Sequence, residues 1–325
     1  MTNPDAVVVG SGPNGLAAAI TLARAGLRVL VVEAHGAVGG GMRTAERTLP
    51  GYHHDVCSAV HPLALSSPFF RSVPLEGVAW LNSPAALAHP FPDGAVALLE
   101  RDLGETERRL GGDGPTYRRL VEPFVRRWDD LAPMILDPLA WPTHPVLMAR
   151  FGLQALRSAT HVAARFRTRE ARGLFAGIAA HAMVPLEAPA TASFGLVLAT
   201  AAHAVGWPLA RGGSQRLADA LVAHLVSLGG AVETEHHVRS LHELPSARAY
   251  LLSVPPRVLV ELAGERLPRR YTDALLRFRH GPGSFKMDFA LDGPIPWRNP
   301  ECLRAATVHL GGPFEDIARA ERAVH

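Results

Sequence analysis

The sequence predicts an α/β fold in which a parallel sheet starts with a βαβ unit and a largely helical region is inserted later in the chain. Three observations support this prediction. Residues 6–9 and 27–32 are short apolar runs typical of buried strands. A glycine-rich turn at residues 10–15 and a helical apolar pattern lie between these two runs. Residues 75–206 have mostly helical patterns, interrupted by many prolines.

The glycine-rich turn predicts a dinucleotide-binding site. Gly10 permits a tight turn, Gly12 lets the backbone approach a pyrophosphate, and Gly15 lets the helix pack closely on the strand. The N-terminus of that helix presents free N–H groups and a positive dipole end. Glu33 ends the second strand and can accept hydrogen bonds from ribose hydroxyls. The expected contacts are Gly10, Gly12, Pro13, Asn14, Gly15, Glu33 and Ala34. The motif alone leaves FAD and NAD open.

A second glycine-rich segment, residues 36–44, directly follows the second strand. Its consecutive glycines expose backbone N–H groups, and Arg43 adds a cation that can reach phosphate. With this segment the chain resembles the glutathione-reductase-type FAD-binding fold. More narrowly, it resembles the phytoene-desaturase and amine-oxidase branch, where a Gly-Gly motif ending in Ser or Thr follows the second strand. The resemblance implies FAD as the cofactor and adds Gly40, Gly41, Arg43 and Thr44 to the expected contacts.

The resemblance covers most of the chain. It is specific in residues 50–55, 57–63, 211–217, 229–232, 281–297 and 309–312, and it is loose from about residue 75 to 205. In that branch a strand near the position of Val238 lies behind the adenine, so the resemblance implies the same for Val238.

The resemblance also implies a domain organisation. A Rossmann-like FAD-binding domain would be formed by residues 1–74 and 205–268, with a mostly helical substrate domain at 75–204 and substrate-domain strands at 269–325. Within the helical region, Arg118 to Leu131 and Leu147 to Arg169 have the best helical patterns.

The function implied by the resemblance is that of a phytoene dehydrogenase-like, FAD-dependent oxidoreductase. Such an enzyme would dehydrogenate an apolar small-molecule substrate by hydride transfer to N5 of the flavin. Two alternatives stay open: an NAD-linked dehydrogenase, and a non-catalytic flavin-fold protein that acts through partners. A second strand–GxGxxG–helix unit, which would support NAD binding, is absent from the sequence.

Residues 284–291 alternate between apolar and polar side chains, which predicts a strand with one apolar side. Lys286 and Asp288 share the polar side, and a solvated ion pair is one interpretation of them. The other rests on the resemblance. Amine oxidases carry a lysine in an equivalent strand, ahead of a proline- and tryptophan-containing turn, and that lysine holds a water at flavin N5. Lys286 is therefore the candidate catalytic residue.

Composition excludes several other classes of protein. The 325 residues carry a net charge of only +3, and the arginines are spread among acids, so a nucleic-acid-binding face is not expected. The two cysteines, Cys57 and Cys302, are too far apart in sequence for a redox-active CxxC pair. No signal-peptide pattern precedes the first strand, and we expect a cytoplasmic protein. The oligomeric state is not predictable.

An uncharged run at residues 188–210 could suggest a membrane-spanning helix. Its prolines, glycines and small residues are poor material for a bilayer core, so we expect a buried helix beside a substrate cavity. Peripheral contact with a membrane stays open, because members of the branch act on lipophilic substrates.

The 16 histidines require that a metal site be considered. His53, Cys57 and His61 have the spacing of zinc ligands on a helix, but prolines and a glycine bracket the segment, so no metal is expected. His236, His237 and His242 lie in a strand-like pattern. No GxSxG motif or Ser-His-Asp layout supports hydrolase chemistry.

The C-terminal region differs from the branch in one feature. Members of the branch end with a glycine-rich turn that closes the domain around the flavin, whereas residues 313–325 have the pattern of a charged helix. We therefore expect the chain to be the N-terminal portion of a longer protein, with part of the flavin site open.

Overall fold

The computed structural model describes residues 3–138 and 140–324. The strands are β1 (Ala6–Val9), β2 (Val29–Val32), β3 (Thr44–Glu46), β4 (His53–Asp55), β5 (Trp80–Leu81), β6 (Ala85–Pro90), β7 (Val96–Glu100), β8 (Leu209–Ala210), β9 (Ala231–Glu233), β10 (Ala249–Leu252) and β11 (Ala305–Val308). The α-helices are α1 (Pro13–Arg24), α2 (Pro62–Ser66), α3 (Pro68–Ser72), α4 (Leu103–Arg109), α5 (Gly114–Val125), α6 (Trp128–Leu136), α7 (Pro145–Ala155), α8 (Ala159–Ala163), α9 (Arg169–Ala179), α10 (Ala192–Ala204), α11 (Gln215–Ser227), α12 (Pro256–Ala263), α13 (Arg269–Leu276) and α14 (Phe314–Ala323).

A four-stranded parallel sheet organises the N-terminal part of the fold, in the order β10-β1-β2-β9. Val7 lies between Tyr250 of β10 and Leu30 of β2. The chain leaves β1 for β2 on one side, while β10 pairs with β1 on the other. The turn after β1 therefore lies at a topological switch point, where ligands bind in open α/β sheets. The predicted α/β fold with a parallel sheet and a βαβ start is confirmed.

Helix α1 forms because its apolar residues recur on one face. Leu16, Ala19 and Ile20 are fully buried against the sheet and against α11, which contributes Leu217 and Leu221 to the same core. The chain turns out of α1 at a glycine with φ of +81°, a conformation that other residues rarely adopt.

A largely helical region follows, as predicted, and helices α4–α10 share one core. Its largest fully buried side chains include Phe124, Leu131, Leu174 and Phe175. Beside it lies a second sheet in which β6 pairs antiparallel with β7 and parallel with β11. The uncharged run contains α10, which is buried in this core and is only 13 residues long. Within the described ranges, no helix has both the length and the apolar character needed to cross a membrane.

Several predicted elements differ in the structure. Residues 284–291 belong to no strand. Their apolar side chains are exposed, whereas the side chains of Lys286 and Asp288 are more covered, so the predicted apolar side does not face the core. Val238, His236 and His237 follow β9 in irregular backbone, because the sheet pairing ends at Glu233.

The two long helices predicted in the helical region are each divided. The stretch from Arg118 to Leu131 is split between α5, which contains Pro123 and ends at Val125, and α6. The stretch from Leu147 to Arg169 comprises most of α7, all of α8 and the first residue of α9. The charged helix predicted near the C-terminus is confirmed as α14.

Candidate dinucleotide site

The first glycine turn has one open face. A Cβ atom at Gly10 would lie 2.8 Å from the carbonyl oxygen of Ser253, and one at Gly15 would overlap the carbonyl of Gly10. At Gly12 a Cβ would find no atom within 4 Å. The first and third glycines therefore serve internal packing, whereas the second leaves its backbone open to a bound group.

Helix α1 starts at this open face. Gly12 is its N-cap residue and Pro13 its first residue, and no side chain hydrogen bonds to its N-terminus. Uncapped N–H groups and the positive end of the helix dipole favour an anion such as a phosphate at this position.

Glu33 lies at the carboxyl end of β2, next to the turn. Its carboxylate is buried and accepts hydrogen bonds from the Ser11 backbone N–H (2.9 Å), the Ser11 hydroxyl (2.5 Å) and the His35 N–H (3.0 Å). Burial raises the pKa of Glu33, but these hydrogen bonds outweigh it and hold the pKa below its usual value. The carboxylate is therefore charged and held in one orientation.

The second glycine loop is attached to the first. The Gly39 N–H donates to the Ser11 carbonyl (3.1 Å) and to its hydroxyl (3.2 Å). A Cβ at Gly40 would lie 3.0 Å from the Cα of Gly12, so the two loops are in direct contact. Arg43 donates from Nε to the Gly40 carbonyl at 3.0 Å. No carboxylate in the described chain forms an ion pair with Arg43. Its remaining N–H groups are available to phosphate oxygens.

Asp55 joins these loops to α11. One oxygen of its carboxylate accepts from the Thr44 hydroxyl (2.6 Å) and from the Ser214 backbone N–H (2.7 Å). The Thr44 hydroxyl in turn accepts from the Gln215 N–H at 3.0 Å. Thr44 thus connects three distant parts of the chain through its side chain.

A serine, a histidine and an aspartate meet nearby, but their arrangement is structural. His61 Nε2 lies 2.8 Å from the Ser214 hydroxyl, which donates to the Ser58 carbonyl at 2.7 Å. Ser214 is fully buried, and burial lowers the pKa of His61. A hydroxyl that is buried and already donating cannot act as an exposed nucleophile.

Residues 53, 57 and 61, which have the spacing of zinc ligands on a helix, do not form a metal site in the structure. In the parts of the chain that the structure describes, no three histidine, cysteine or acidic side chains are arranged to hold a metal ion.

The other predicted residues lie around this site at different depths. Ala34 is exposed at the end of β2, and Val238 is buried in an apolar cluster with Val9 and Val32. Lys286 contacts Asp288, whose carboxylate lies 3.7 Å from His54 Nδ1 in β4. This pairing places Lys286 on the side of its segment that faces the β3–β4 hairpin.

Two residues that shape the site were missed by the sequence reasoning. One is Ser11, which orients Glu33. Its position inside the glycine motif was the sequence signal that could have identified it. Ser253 follows β10 and closes the turn from behind, beside a cavity of about 530 Å³ lined by Asn14, Gly15 and residues 251–255. The sequence signal that could have identified Ser253 was the apolar run that leads to it and the pair of prolines that follows.

Another cavity, of about 600 Å³, lies between α5 and α7. Several arginines line it, and none of the predicted site residues does.

Comparison with known proteins identifies a domain family and several relatives. Residues 8–71 match the family model of the NAD(P)-binding Rossmann-like domain. Hydroxyneurosporene desaturase of Cereibacter sphaeroides is 32% identical over 243 residues, which cover 67% of this chain and 46% of the desaturase. The chain thus spans less than half of the length of that relative.

Solved structures share the fold at low sequence identity. An oxidoreductase from Methanosarcina mazei matches with a TM-score of 0.54 and 16% identity, over 84% of this chain and 64% of the other. Cyclohexylamine oxidase from Brevibacterium oxydans matches with a TM-score of 0.50 and 16% identity, over 85% and 63%.

Proposed function

Because the chain belongs to the phytoene-desaturase-like group of FAD-dependent oxidoreductases, we propose that it binds FAD at the two glycine loops and takes part in oxidising an apolar substrate. The observation that carries the proposal is the open face of Gly12 beneath the uncapped start of α1, with the buried Glu33 carboxylate beside it. This arrangement would offer an anion site to the pyrophosphate and an acceptor to a ribose hydroxyl, as dinucleotide binding requires.

Different residues of the site would contact different parts of the cofactor. The pyrophosphate would lie at Gly12 and the N-terminus of α1, with Arg43 and the N–H groups of the second glycine loop on its other side. Glu33 would accept from the adenosine ribose through the acceptor capacity that Ser11 and His35 leave free. Ala34 and Val238 would lie towards the adenine.

Bound FAD would supply the redox chemistry by accepting a hydride at N5 from the substrate. The residues of this chain would bind and orient the cofactor, and the neighbouring helical region would hold an apolar substrate away from water. The relative from Cereibacter sphaeroides is named as a desaturase of hydroxyneurosporene, and this name supports an apolar substrate class for this chain.

The matched family model also names NAD(P), so an NAD-linked dehydrogenase is the second candidate. The second glycine loop favours FAD, because its contact with Gly12 and the N–H groups of Arg43 that do not bond to Gly40 would extend the phosphate site beyond the first motif. A purified protein that releases a chromophore absorbing at roughly 450 nm on denaturation would support FAD. Tight binding of NAD to a colourless protein would support the alternative.

A matched pair of glycine variants tests the site. Gly12 has φ of −65° and open space around its missing Cβ, so Gly12→Val should leave the fold intact and abolish FAD binding. Gly112→Val is the control, because a Cβ there also meets nothing within 4 Å and the residue lies far along the chain. Isothermal titration with FAD should show binding to the control only. Equal binding by both variants would contradict the proposed cofactor site.

A further inference from the structure

Helix α7 is apolar on the side that faces solvent as well as on the side that faces the protein. Three buried side chains on its inner side belong to the helical core: Leu147, Phe151 and Ala155. On the outer side Val146 is 82% exposed and Leu153 is 68% exposed, and Leu156, directly after the helix, is 71% exposed. A surface helix normally carries polar residues on its outer side, whereas a helix that is apolar all round normally has apolar surroundings.

Arginines are interleaved with these exposed apolar side chains. Arg150 follows Val146 by four residues and precedes Leu153 by three, so the three side chains lie on one side of the helix. Arg157 follows the helix directly and is also exposed, and its side chain contacts the His161 ring at 2.7 Å. Neither arginine forms an ion pair with a carboxylate of the described chain.

The charge along this part of the chain is entirely positive. From residue 138 to 169 the sequence contains five arginines and no aspartate or glutamate, although the whole chain has a net charge of only +3. On the neighbouring helices, the carboxylate of Glu122 is already paired with two arginines of its own region, and that of Asp130 is paired with Arg127. The protein therefore supplies no carboxylate to balance the arginines beside α7.

Three arginines without an acidic partner also meet at one cavity. Arg119 of α5, Arg150 of α7 and Arg165 line a cavity of about 190 Å³. Within residues 3–138 and 140–324, none of the three forms an ion pair with a carboxylate. Burial, and then the positive charge of Arg157, lower the pKa of Arg165. Like charges gathered in this way without a counter-ion favour the binding of an anion, and guanidinium groups suit phosphate oxygens in particular.

We propose that the outer side of α7 binds the surface of a membrane that contains anionic lipids. We call this surface the α7 face, and it consists of Trp141, Val146, Arg150, Leu153, Leu156 and Arg157. The helix would lie in the plane of the membrane with its apolar side chains at the boundary between headgroups and acyl chains. The arginines would bind lipid phosphates, because their apolar stems let the charged ends reach the headgroup level. Trp141, which is 91% exposed just before the helix, would lie at the interface, where tryptophan is enriched.

The form of the α7 face favours a bilayer over a folded protein partner. Side chains that are 68–91% exposed project from the surface, so a partner must surround each of them. Fluid lipid can close around such side chains, whereas a folded partner would need a matching pocket for each. The arginines select the lipid class, because each arginine near an anionic surface strengthens binding about fivefold and a neutral surface gives no such gain.

Vesicle flotation of the 325-residue chain tests the proposal. The wild type should float with vesicles made of equal parts phosphatidylglycerol and phosphatidylcholine, and should bind pure phosphatidylcholine vesicles far more weakly. Binding should weaken as NaCl rises from about 0.1 M to about 1 M, because the Debye length falls from about 10 Å to about 3 Å. Vesicle binding is measured without added FAD, so it does not depend on the cofactor site.

Matched variants locate the bound surface. Leu153→Ser should weaken binding to the anionic vesicles about tenfold or more, whereas Leu310→Ser, at a site 73% exposed elsewhere, should bind like the wild type. Arg150→Gln should weaken binding about fivefold, and Arg257→Gln, on the exposed side of α12, is its control. All four sites are exposed, so the variants should keep the unfolding temperature of the wild type.

Tryptophan fluorescence tests the orientation of the α7 face. The emission of the wild type should shift to shorter wavelength when anionic vesicles are added, and Trp141→Phe should lose this shift while it still floats with the vesicles. Failure of the wild type to bind anionic vesicles, equal binding to both kinds of vesicle, or equal binding by Leu153→Ser and Leu310→Ser would overturn the proposal. Dimerisation of the lipid-free chain that Leu153→Ser abolishes would also overturn it, because a second copy would then cover the face.

Discussion

Replacing Ser11 by alanine tests which contacts hold the candidate dinucleotide site in place. The hydroxyl of Ser11 donates to the buried carboxylate of Glu33 at 2.5 Å and accepts from the Gly39 N–H at 3.2 Å. The variant removes one charge-assisted hydrogen bond, while the Ser11 and His35 backbone bonds to Glu33 persist. A hydrogen bond to a charged group contributes about 1.5–3 kcal/mol, so Ser11→Ala should lower the local opening free energy by about that amount.

Hydrogen exchange measures this loss at the site itself. At pH 7, amides in β1 and β2 should exchange roughly 10- to 150-fold faster in Ser11→Ala than in the wild type, since about 1.4 kcal/mol corresponds to a factor of ten. Ser227→Ala is the matched control, because its hydroxyl donates only to the His224 carbonyl on the exposed end of α11. Exchange that is no faster than in this control would refute the role of Ser11.

The pH dependence gives an independent check with a definite sign. The folded-state pKa of Glu33 is lowered from 4.5, so its contribution to stability is present above that value and is lost as the pH falls below it. The difference in thermal stability between Ser11→Ala and the wild type should therefore be largest near pH 7 and should shrink below about pH 4. A difference that is the same at both pH values would mean that the hydroxyl acts on packing instead of the charge.

Three further predictions concern the cofactor, the helical core and the candidate catalytic lysine. Glu33→Ala should weaken FAD binding by about 1–3 kcal/mol, as measured by titration calorimetry, through lost hydrogen bonds to the ribose; an unchanged dissociation constant would show that the carboxylate does not touch the cofactor. Buried His203 accepts from Tyr117 at 2.8 Å and burial lowers its pKa to about 4, so wild-type stability should fall between pH 6.5 and 4 by up to about 3 kcal/mol. His203→Gln should flatten that fall in urea titrations; an identical pH profile would contradict it. Lys286→Met should slow reoxidation of bound flavin more than it weakens flavin binding; stopped-flow rates equal to the wild type would leave Lys286 with its ion pair alone.

The βαβ start was predictable because its signals are local. The apolar runs of β1 and β2, the helical face of α1 and the three glycines all lie within residues 6–33. The partners of this unit were harder to define, because β9 and β10 are only three and four residues long and are fixed by pairing with β1 and β2. Their strand character depends on neighbours that no short window contains.

The segment at residues 284–291 shows why alternation alone can mislead. Alternation states which side chains share a face, but a strand exists only when its backbone has a hydrogen-bonded neighbour. In the helical region, the prediction of a single helix from Arg118 to Leu131 failed for a different reason: the apolar periodicity continues across the turn at Arg126 and Arg127, which separates α5 from α6. The residues that orient Glu33 could not be identified from sequence spacing either, because they are defined by contacts in three dimensions.

The strand order has a consequence for synthesis of the protein on the ribosome. Ala6 of β1 pairs with Ala249 of β10. Strand β1 therefore cannot form this pairing until roughly 240 further residues have been translated. At roughly 5–20 residues per second, that interval is about 12–50 seconds. During it the apolar edge of β1 lacks its neighbour, and the turn after β1 lacks Ser253 behind it. Until β10 has been synthesised, the unpaired edge of β1 should therefore be accessible to chaperones and to other chains.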